Sequence, residues 1–177
     1  MILWKSDSLY VREVIKERLN RFDNLKILDV GGGKNSWAGD AVTHVMDLLS
    51  TENESTKVIY QGDICSPNTW DSIPDKFFDF VICTHTLEDI RDPAFVVKKM
   101  SEKGKAGFIA VPSKFQELFP LESIYYRGYY HHRWLFQVNG ETLSAIYKSA
   151  DLTISPKATI KLSHKLQLLL RQLHGVR

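Results

Sequence analysis

Acidic residues, glycines and a histidine follow a series of short apolar runs in this sequence. The segments are Asp29-Val30-Gly31-Gly32-Gly33, Asp47-Leu48, Gly62-Asp63-Ile64 and Thr84-His85-Thr86-Leu87-Glu88-Asp89. Glycines let the backbone approach a ligand closely. One carboxylate can accept hydrogen bonds from both hydroxyls of a ribose, and another can accept from an exocyclic amine. The pattern therefore suits a nucleoside-containing ligand.

These segments need a scaffold that brings their ends together. The apolar runs predict strands at 26–30, 43–46, 57–60, 78–83 and 107–111. Strands that are apolar throughout are typical of a parallel sheet covered on both faces. The sequence thus predicts an α/β fold, a Rossmann-like doubly wound and mostly parallel sheet with helices on both faces. Ligands of such sheets bind beyond the carboxyl ends of the strands.

Helical periodicity flanks the strands. It predicts an N-terminal helix within 1–24, with Arg12 on a solvated face, and a helix over 93–100 begun by Pro93. Only Lys34 to Val42 separates the glycine turn from the second strand, so the first crossover should hold one or two helical turns at most. Further predictions are a helix from Gly140 to Ser149, a strand at Leu152–Ile154 and an amphipathic helix in the tail, 161–177.

Composition bounds the function classes. The 177 residues are 44% hydrophobic and 25% charged with a net charge of +2, which favours a soluble globular domain without a global pull toward nucleic acid. Cys65 and Cys83 lack the spacing of a metal knuckle or a disulfide framework. Without a secretory signal pattern or a run of about 18 apolar residues, a cytoplasmic protein with no membrane span is expected.

The length predicts a single domain over 1–177. Its expected parts are the N-terminal helix (1–24), a cofactor-binding half (25–111), an aromatic acceptor or lid segment (112–138) and a C-terminal helix, strand and tail (139–177).

The segments quoted above resemble the class I S-adenosylmethionine-dependent methyltransferases, most closely their small type-11 branch. The stretch from Phe78 to Asp89, followed by Asp92-Pro93, is similar to that family's fourth-strand signature. The resemblance covers about Leu25 to Ile154 and implies this family's fold with a short C-terminal part. It also implies S-adenosyl-L-methionine as cofactor and S-adenosyl-L-homocysteine as product. The cofactor-binding residues it implies are Asp29, Gly31, Gly32, Gly33, Asp47, Leu48, Asp63, Ile64 and Thr84.

Methyl transfer needs alignment of the two reactants and, for a hydroxyl acceptor, a general base. His85 directly follows the fourth strand and is the candidate catalytic residue, although a purely packing role stays open. Glu88 is interpreted as an acid at a helix start. No metal ligands are predicted.

The segment from Phe115 to Phe136 interleaves aromatic rings with basic residues, after the fifth strand, where this fold inserts its acceptor-binding loop. Rings with polar edges suit a sugar or another flat, hydroxylated acceptor, while burial in a lid or a homodimer contact is the alternative. A nucleic-acid acceptor is not expected, because Thr84-His85-Thr86 stands where base-amine methylases carry two prolines and an aromatic. The predicted substrate-binding residues are Tyr126, Tyr129, His131, His132, Arg133 and Trp134.

The sequence therefore predicts a methyltransferase acting on a small molecule or glycan, at oxygen. A non-catalytic binding or assembly protein with a cofactor fold is the alternative. An NAD-binding domain fits less well, because Ser36 stands where its fingerprint needs a third glycine.

Overall fold

The computed structural model describes residues 9–33, 36–49, 57–119, 126–140, 142–149 and Thr153. The chain divides into two units, one up to Ala110 and one from Val111. The organisation as a single domain remains a prediction.

Within the described residues, five strands form one parallel sheet in the first unit. Their order across the sheet is β3-β2-β1-β4-β5. The prediction of a Rossmann-like parallel sheet is confirmed, and β5 begins at Gly104 rather than at Gly107. The strands are β1 (Ile27–Val30), β2 (His44–Asp47), β3 (Val58–Gln61), β4 (Phe78–Thr84) and β5 (Gly104–Ala110).

The strand order places a topological switch point between β1 and β4. The chain runs outward from β1 to β3 and then returns to β4, on the other side of β1. Val30 is level with Met46 of β2 and with Cys83 of β4. The connections that leave the carboxyl ends of β1 and β4 therefore run in opposite directions and leave a crevice between them. Open parallel sheets bind ligands in this crevice.

Two longer helices of the first unit pack on the sheet. They are α1 (Leu9–Leu19) and α2 (Pro93–Lys103). Asp92 begins α2 by accepting a hydrogen bond from the backbone N–H of Phe95 at 2.9 Å, and proline at the first helical position needs no such partner. None of the helices in the described ranges has the length and apolar character that crossing a membrane requires.

The two helices cover opposite faces of the sheet. Leu19 of α1 belongs to the same buried cluster as Ile82 of β4. Met100 of α2 lines a small groove together with Val81 of β4. Successive residues of a strand point to opposite faces, so the predicted two-sided cover is present.

Short turns replace the other crossover helices in the described part of the first unit. Gly39–Ala41 forms a single 3₁₀ turn between β1 and β2, and Pro67–Thr69 forms another between β3 and β4. The expectation of a very short first crossover is therefore confirmed.

The second unit contains a short helix and a β-hairpin. Helix α3 (Lys114–Leu118) is followed by β6 (Trp134–Asn139) and β7 (Thr142–Tyr147), which pair antiparallel. The predicted helix from Gly140 to Ser149 is wrong, because these residues form the hairpin turn and β7. Gly140, with φ +58°, provides the turn.

Two predictions fall outside the described residues. Of the predicted strand at Leu152–Ile154 only Thr153 is described, and the tail at 161–177 is not described.

Candidate active site

A cleft with a volume of about 250 Å³ opens at the carboxyl ends of β1 to β4. It lies entirely within the first unit and contains six of the residues predicted to bind cofactor or to act in catalysis. The sequence did not single out Ile90 as a lining residue, since it lies after the fourth-strand segment and carries no chemical signal. The lining residues are Gly31, Asp47, Leu48, Asp63, Ile64, His85, Thr86, Asp89 and Ile90.

The turn after β1 depends on glycine for two different reasons. Gly31 has φ +72°, and a Cβ there would lie 2.3 Å from the Thr86 side chain. Gly33 has φ +55°, but the space beside it is open to 4 Å. Glycine is therefore needed at position 31 because a side chain would collide with Thr86. At Gly33 the open space could accommodate a ligand close to the backbone.

Asp29 lies below this turn rather than in the cleft. It is 2% exposed, and a Cβ on Gly32 would lie 2.3 Å from its carboxyl carbon. The predicted pair Asp29 and Gly32 thus shapes the turn from beneath.

Asp47 connects the ends of β1 and β2. One oxygen of its carboxylate accepts the backbone N–H of Gly33 at 3.1 Å, and the other accepts that of Leu49 at 3.0 Å. Its carbonyl accepts the N–H of Gly62 at 2.9 Å. The carboxylate is therefore fixed in orientation at the edge of the cleft.

Asp63 is held by a cation that the sequence analysis missed. Oδ1 of Asp63 accepts the backbone N–H of Cys65 at 2.8 Å, and Oδ2 pairs with the guanidinium of Arg91. Arg91 also donates to the carbonyl of Cys65 at 3.0 Å. No local spacing indicates this contact, because Arg91 precedes α2 and its partners follow β3.

His85 makes contacts through both ring nitrogens. Its Nδ1 lies 3.3 Å from Oε1 of Glu88, and its Nε2 lies 3.1 Å from a guanidinium nitrogen of Arg12. Glu88 is fully buried and lies outside any helix, so its interpretation as a helix-start acid is wrong. Arg12 also lies over the ring of Trp37, with its guanidinium carbon 5.9 Å from the ring centroid. The expectation that Arg12 belongs to a solvated face is therefore wrong as well.

The remaining predicted cofactor residues differ in exposure. Leu48 is 65% exposed and Ile64 is 7% exposed, although both line the cleft. The hydroxyl of Thr84 accepts from the indole N–H of Trp37 at 3.0 Å. Thr84 therefore fixes Trp37 beside the end of β4 rather than lining the cleft itself.

Cys83 cannot act as a nucleophile near neutral pH. Burial raises the pKa of its thiol strongly, and the negative charges of Asp29 and Glu88 raise it further. A thiol that stays protonated in an apolar strand is inert.

Within the second unit, one predicted substrate residue belongs to a buried ionic cluster. His132 Nδ1 lies 2.6 Å from Oε1 of Glu117, and Lys148 Nζ lies 2.8 Å from Oε2. Burial opposes ionisation of Glu117, but hydrogen bonds from His132 and Lys148 outweigh it and lower the pKa of this carboxyl. His132 is 9% exposed, and its contact with Glu117 suits a structural role.

The other predicted substrate residues form ring pairs within this unit. The ring centroids of Tyr129 and His132 are 4.6 Å apart, and those of Trp134 and Tyr147 are 5.5 Å apart. Tyr126 contacts Tyr130, and His131 contacts His132 edge to face. His131 and Arg133 are exposed, whereas Tyr126, Tyr129 and Trp134 are half-buried.

No family model and no curated protein matches this chain, whereas solved structures do. A SAM dependent methyltransferase from Archaeoglobus fulgidus is 22% identical, with 53% of this chain aligned to 48% of that chain at a TM-score of 0.40. The trans-methyltransferase CalH, solved in complex with SAH, is 17% identical, with 53% of this chain aligned to 33% of that chain at a TM-score of 0.40. An S-adenosylmethionine dependent methyltransferase from Mesorhizobium loti is 14% identical, with 74% of this chain aligned to 63% of that chain at a TM-score of 0.43.

This chain thus spans less than two thirds of each of those structures. Likenesses this loose do not assign an activity. The function proposed below therefore depends on the residues of the cleft.

Alanine substitutions at the two left-handed glycines of the turn after β1 should separate backbone strain from crowding. Gly33→Ala introduces only the cost of a left-handed residue, about 1–2 kcal/mol, since the space beside Gly33 is open. Gly31→Ala adds the collision with Thr86 and should lower the free energy of unfolding more. Urea denaturation of both variants measures the difference, and equal losses would contradict the crowding at Gly31.

Proposed function

We propose that this chain is an S-adenosylmethionine-dependent methyltransferase that transfers a methyl group to an oxygen of a small-molecule or glycan acceptor. The observation that carries the proposal is the cleft at the switch point. A glycine turn and two carboxylates, Asp47 and Asp63, come from three consecutive strand ends and line this one cleft. The same residues carry the sequence resemblance to this family.

Asp47 has the capacity that a ribose requires. An ionised carboxylate has about four acceptor positions on its two oxygens, and two of them receive the N–H groups of Gly33 and Leu49. Those bonds fix the carboxylate while leaving one acceptor position on each oxygen. Two neighbouring hydroxyls could then bind to the two oxygens.

Asp63 and Ile64 suit a purine. The side chain of Asp63 is 39% exposed despite its pairing with Arg91, so it can still accept a bond from an exocyclic amine. Ile64 follows it directly and offers an apolar surface for the face of the base. The guanidinium of Arg91 also fixes the orientation of this carboxylate.

The bound cofactor would supply an electrophilic methyl group on a sulfonium sulfur. The chain's own contribution is to align the acceptor, to exclude water and, for a hydroxyl acceptor, to accept a proton. His85 lies at the cleft and is the candidate for that proton. The exposed side chains of His131 and Arg133, with the nearby tyrosine rings, support a hydroxylated acceptor.

Isothermal titration calorimetry with S-adenosylmethionine and with S-adenosylhomocysteine tests the proposal. A screen of hydroxylated small molecules and glycans with cofactor carrying a labelled methyl group should then detect transfer. Failure of both compounds to bind would refute the proposal. Binding without transfer to any acceptor would favour the alternative, a non-catalytic protein that uses a cofactor fold for binding or assembly.

Asp47→Ala should weaken cofactor binding by about 10- to 100-fold, since a charge-assisted hydrogen bond contributes about 1.5–3 kcal/mol. Asp47→Asn keeps one oxygen acceptor, so its affinity for the cofactor should fall less than that of Asp47→Ala. Asp71→Ala is the matched control, because Asp71 is an exposed acid outside the cleft. Calorimetry measures the affinity, and a thermal melt checks that the turn still folds without its bond to Gly33. Equal affinity in Asp47→Ala and Asp71→Ala would remove Asp47 from the binding site.

A further inference from the structure

Glu88 is a fully buried carboxylate next to the candidate base. Its exposed fraction is 0%, and Oε1 lies 3.3 Å from Nδ1 of His85. In the described part of the chain, Oε2 of Glu88 is buried without a hydrogen-bond partner. Burial of a carboxylate is costly unless the group is paired and hydrogen-bonded, and the ring of His85 is the partner of Oε1.

The partners of His85 determine which ring nitrogen carries the proton. Arg12 is a guanidinium and can only donate, so Nε2 of His85 must accept. In a neutral imidazole the other nitrogen, Nδ1, is then protonated. Nδ1 faces Oε1 of Glu88, which is an acceptor. The three side chains therefore form one donor-to-acceptor series from Arg12 through His85 to Glu88.

The backbone holds this arrangement in place. His85 has φ +52°, and its N–H donates to the carbonyl of Ala110 at 3.0 Å. Leu87, between His85 and Glu88, is fully buried. Asp89 donates its N–H to the carbonyl of Thr86 at 3.1 Å, which closes the turn. The ring of His85 is thus presented by a fixed turn after β4.

Several charged and titratable groups lie around His85 and Glu88. Arg12 on α1 contacts Nε2 directly, and Asp89 follows Glu88 on the same turn. The negative charges of Asp29 on β1 and of Glu88 both act on Cys83 of β4. Glu88 is the carboxylate that contacts Nδ1.

We infer that Glu88 is a positioning residue that holds His85 with Nδ1 protonated, so that Nε2 receives the proton of the acceptor hydroxyl. The inference rests on the proposed function. As the acceptor oxygen bonds to the methyl carbon and the carbon–sulfur bond breaks, the hydroxyl proton moves to Nε2. The imidazolium that forms is stabilised by the carboxylate of Glu88 and later releases its proton to water. The acceptor hydroxyl takes the place of Arg12 at Nε2.

Nitrogen-15 NMR of the His85 imidazole, in the full-length protein without cofactor, tests the contact directly. The wild type should carry its proton on Nδ1 in the neutral ring. Glu88→Gln should lower the titration midpoint of His85 by about one to two pH units, because an acceptor charge is lost, and should raise the fraction protonated on Nε2. Arg12→Ala should move the midpoint in the opposite direction, because a nearby positive charge is removed. Glu13→Gln, at an exposed position of α1, is the matched control and should change neither.

Turnover provides the second readout. Glu88→Gln should lower kcat by about 10- to 100-fold, as loss of a supporting hydrogen bond behind a functional histidine does, and should shift the pH profile of kcat with the NMR midpoint. The KM for the acceptor should stay unchanged. Circular dichroism checks that the isosteric variant folds.

The outcomes separate this inference from the proposed function. An unchanged His85 titration in Glu88→Gln, with normal cofactor binding, would overturn the role of Glu88 alone. So would a wild-type ring protonated on Nε2. Absence of cofactor binding in calorimetry would overturn the proposed function and with it the catalytic meaning of the dyad.

Discussion

Replacement of His85 by asparagine should lower turnover by about 10²- to 10⁴-fold, which is the usual contribution of a general base. Asparagine is the preferred substitution because His85 has φ +52°, a conformation that asparagine tolerates and alanine does not. His85→Asn therefore removes the imidazole without adding backbone strain. His85→Ala serves as the comparison in which strain is added.

The measurements are kcat across pH and the affinity for S-adenosylhomocysteine. The variant should lose the limb of the pH profile that belongs to the His85 imidazole, while its affinity for S-adenosylhomocysteine stays unchanged. Lys76→Asn is the matched control, because Lys76 also has a left-handed backbone, with φ +55°, and is an exposed residue outside the cleft. Wild-type kcat in His85→Asn would mean that the imidazole only packs beside the cofactor.

The parallel sheet was predictable because each buried strand gives two sequence signals, its apolar composition and the residue type that ends it. A strand covered on both faces is mostly apolar, as Ile27–Val30 and Phe78–Thr84 are. Glycine or a short polar residue then ends it. The acids and His85 follow those ends, so their common location at one cleft could be inferred without knowledge of any contact.

The partners of the site residues could not be predicted in the same way. Arg12 and His85 lie on α1 and after β4, and Arg91 meets Asp63 from the start of α2. Such contacts depend on how a helix packs on the sheet, and a single arginine on a helix gives no sign of it. Glu88 was misinterpreted because an acid before Asp92-Pro93 has the composition of a helix start.

The hairpin was missed because two signals conflict. Leu143, Ile146 and Tyr147 have helical spacing, which led to the wrong helix. Asn139-Gly140 is the dipeptide preferred in tight hairpin turns, and Asn139 pairs with Thr142 across that turn. Greater weight on this dipeptide would have predicted β6 and β7.

The second unit should depend strongly on Lys148. Its side chain is 1% exposed, and Nζ donates to Oε2 of Glu117 at 2.8 Å and to the carbonyls of Arg127 and Tyr129 at 3.0 and 2.9 Å. Lys148→Met keeps the apolar stem but leaves a buried carboxylate that has lost its ammonium partner and keeps the contact with His132. Loss of one partner of a buried ion pair costs about 3–5 kcal/mol. Urea unfolding of the full chain should therefore report a large loss.

Lys105→Met is the matched control for this change. Lys105 pairs with Asp79 at 2.7 Å, but its side chain is 58% exposed. Surface pairs contribute about 0–1 kcal/mol, so the same substitution should have little effect there. Similar losses in the two variants would contradict the burial of the Glu117 cluster.

Acid should reduce the difference between Lys148→Met and the wild type. In the wild type the pKa of Glu117 is held below its ordinary value of 4.5, so the stability it contributes is present above that value and is lost as pH falls through the lowered pKa. In Lys148→Met burial acts on Glu117 with less compensation, and protonation of the carboxyl relieves the buried charge. The deficit should then be greatest near neutral pH and shrink as pH falls through the pKa of Glu117. A deficit that is independent of pH would mean that the loss comes from packing of the lysine stem and not from the charge on Glu117.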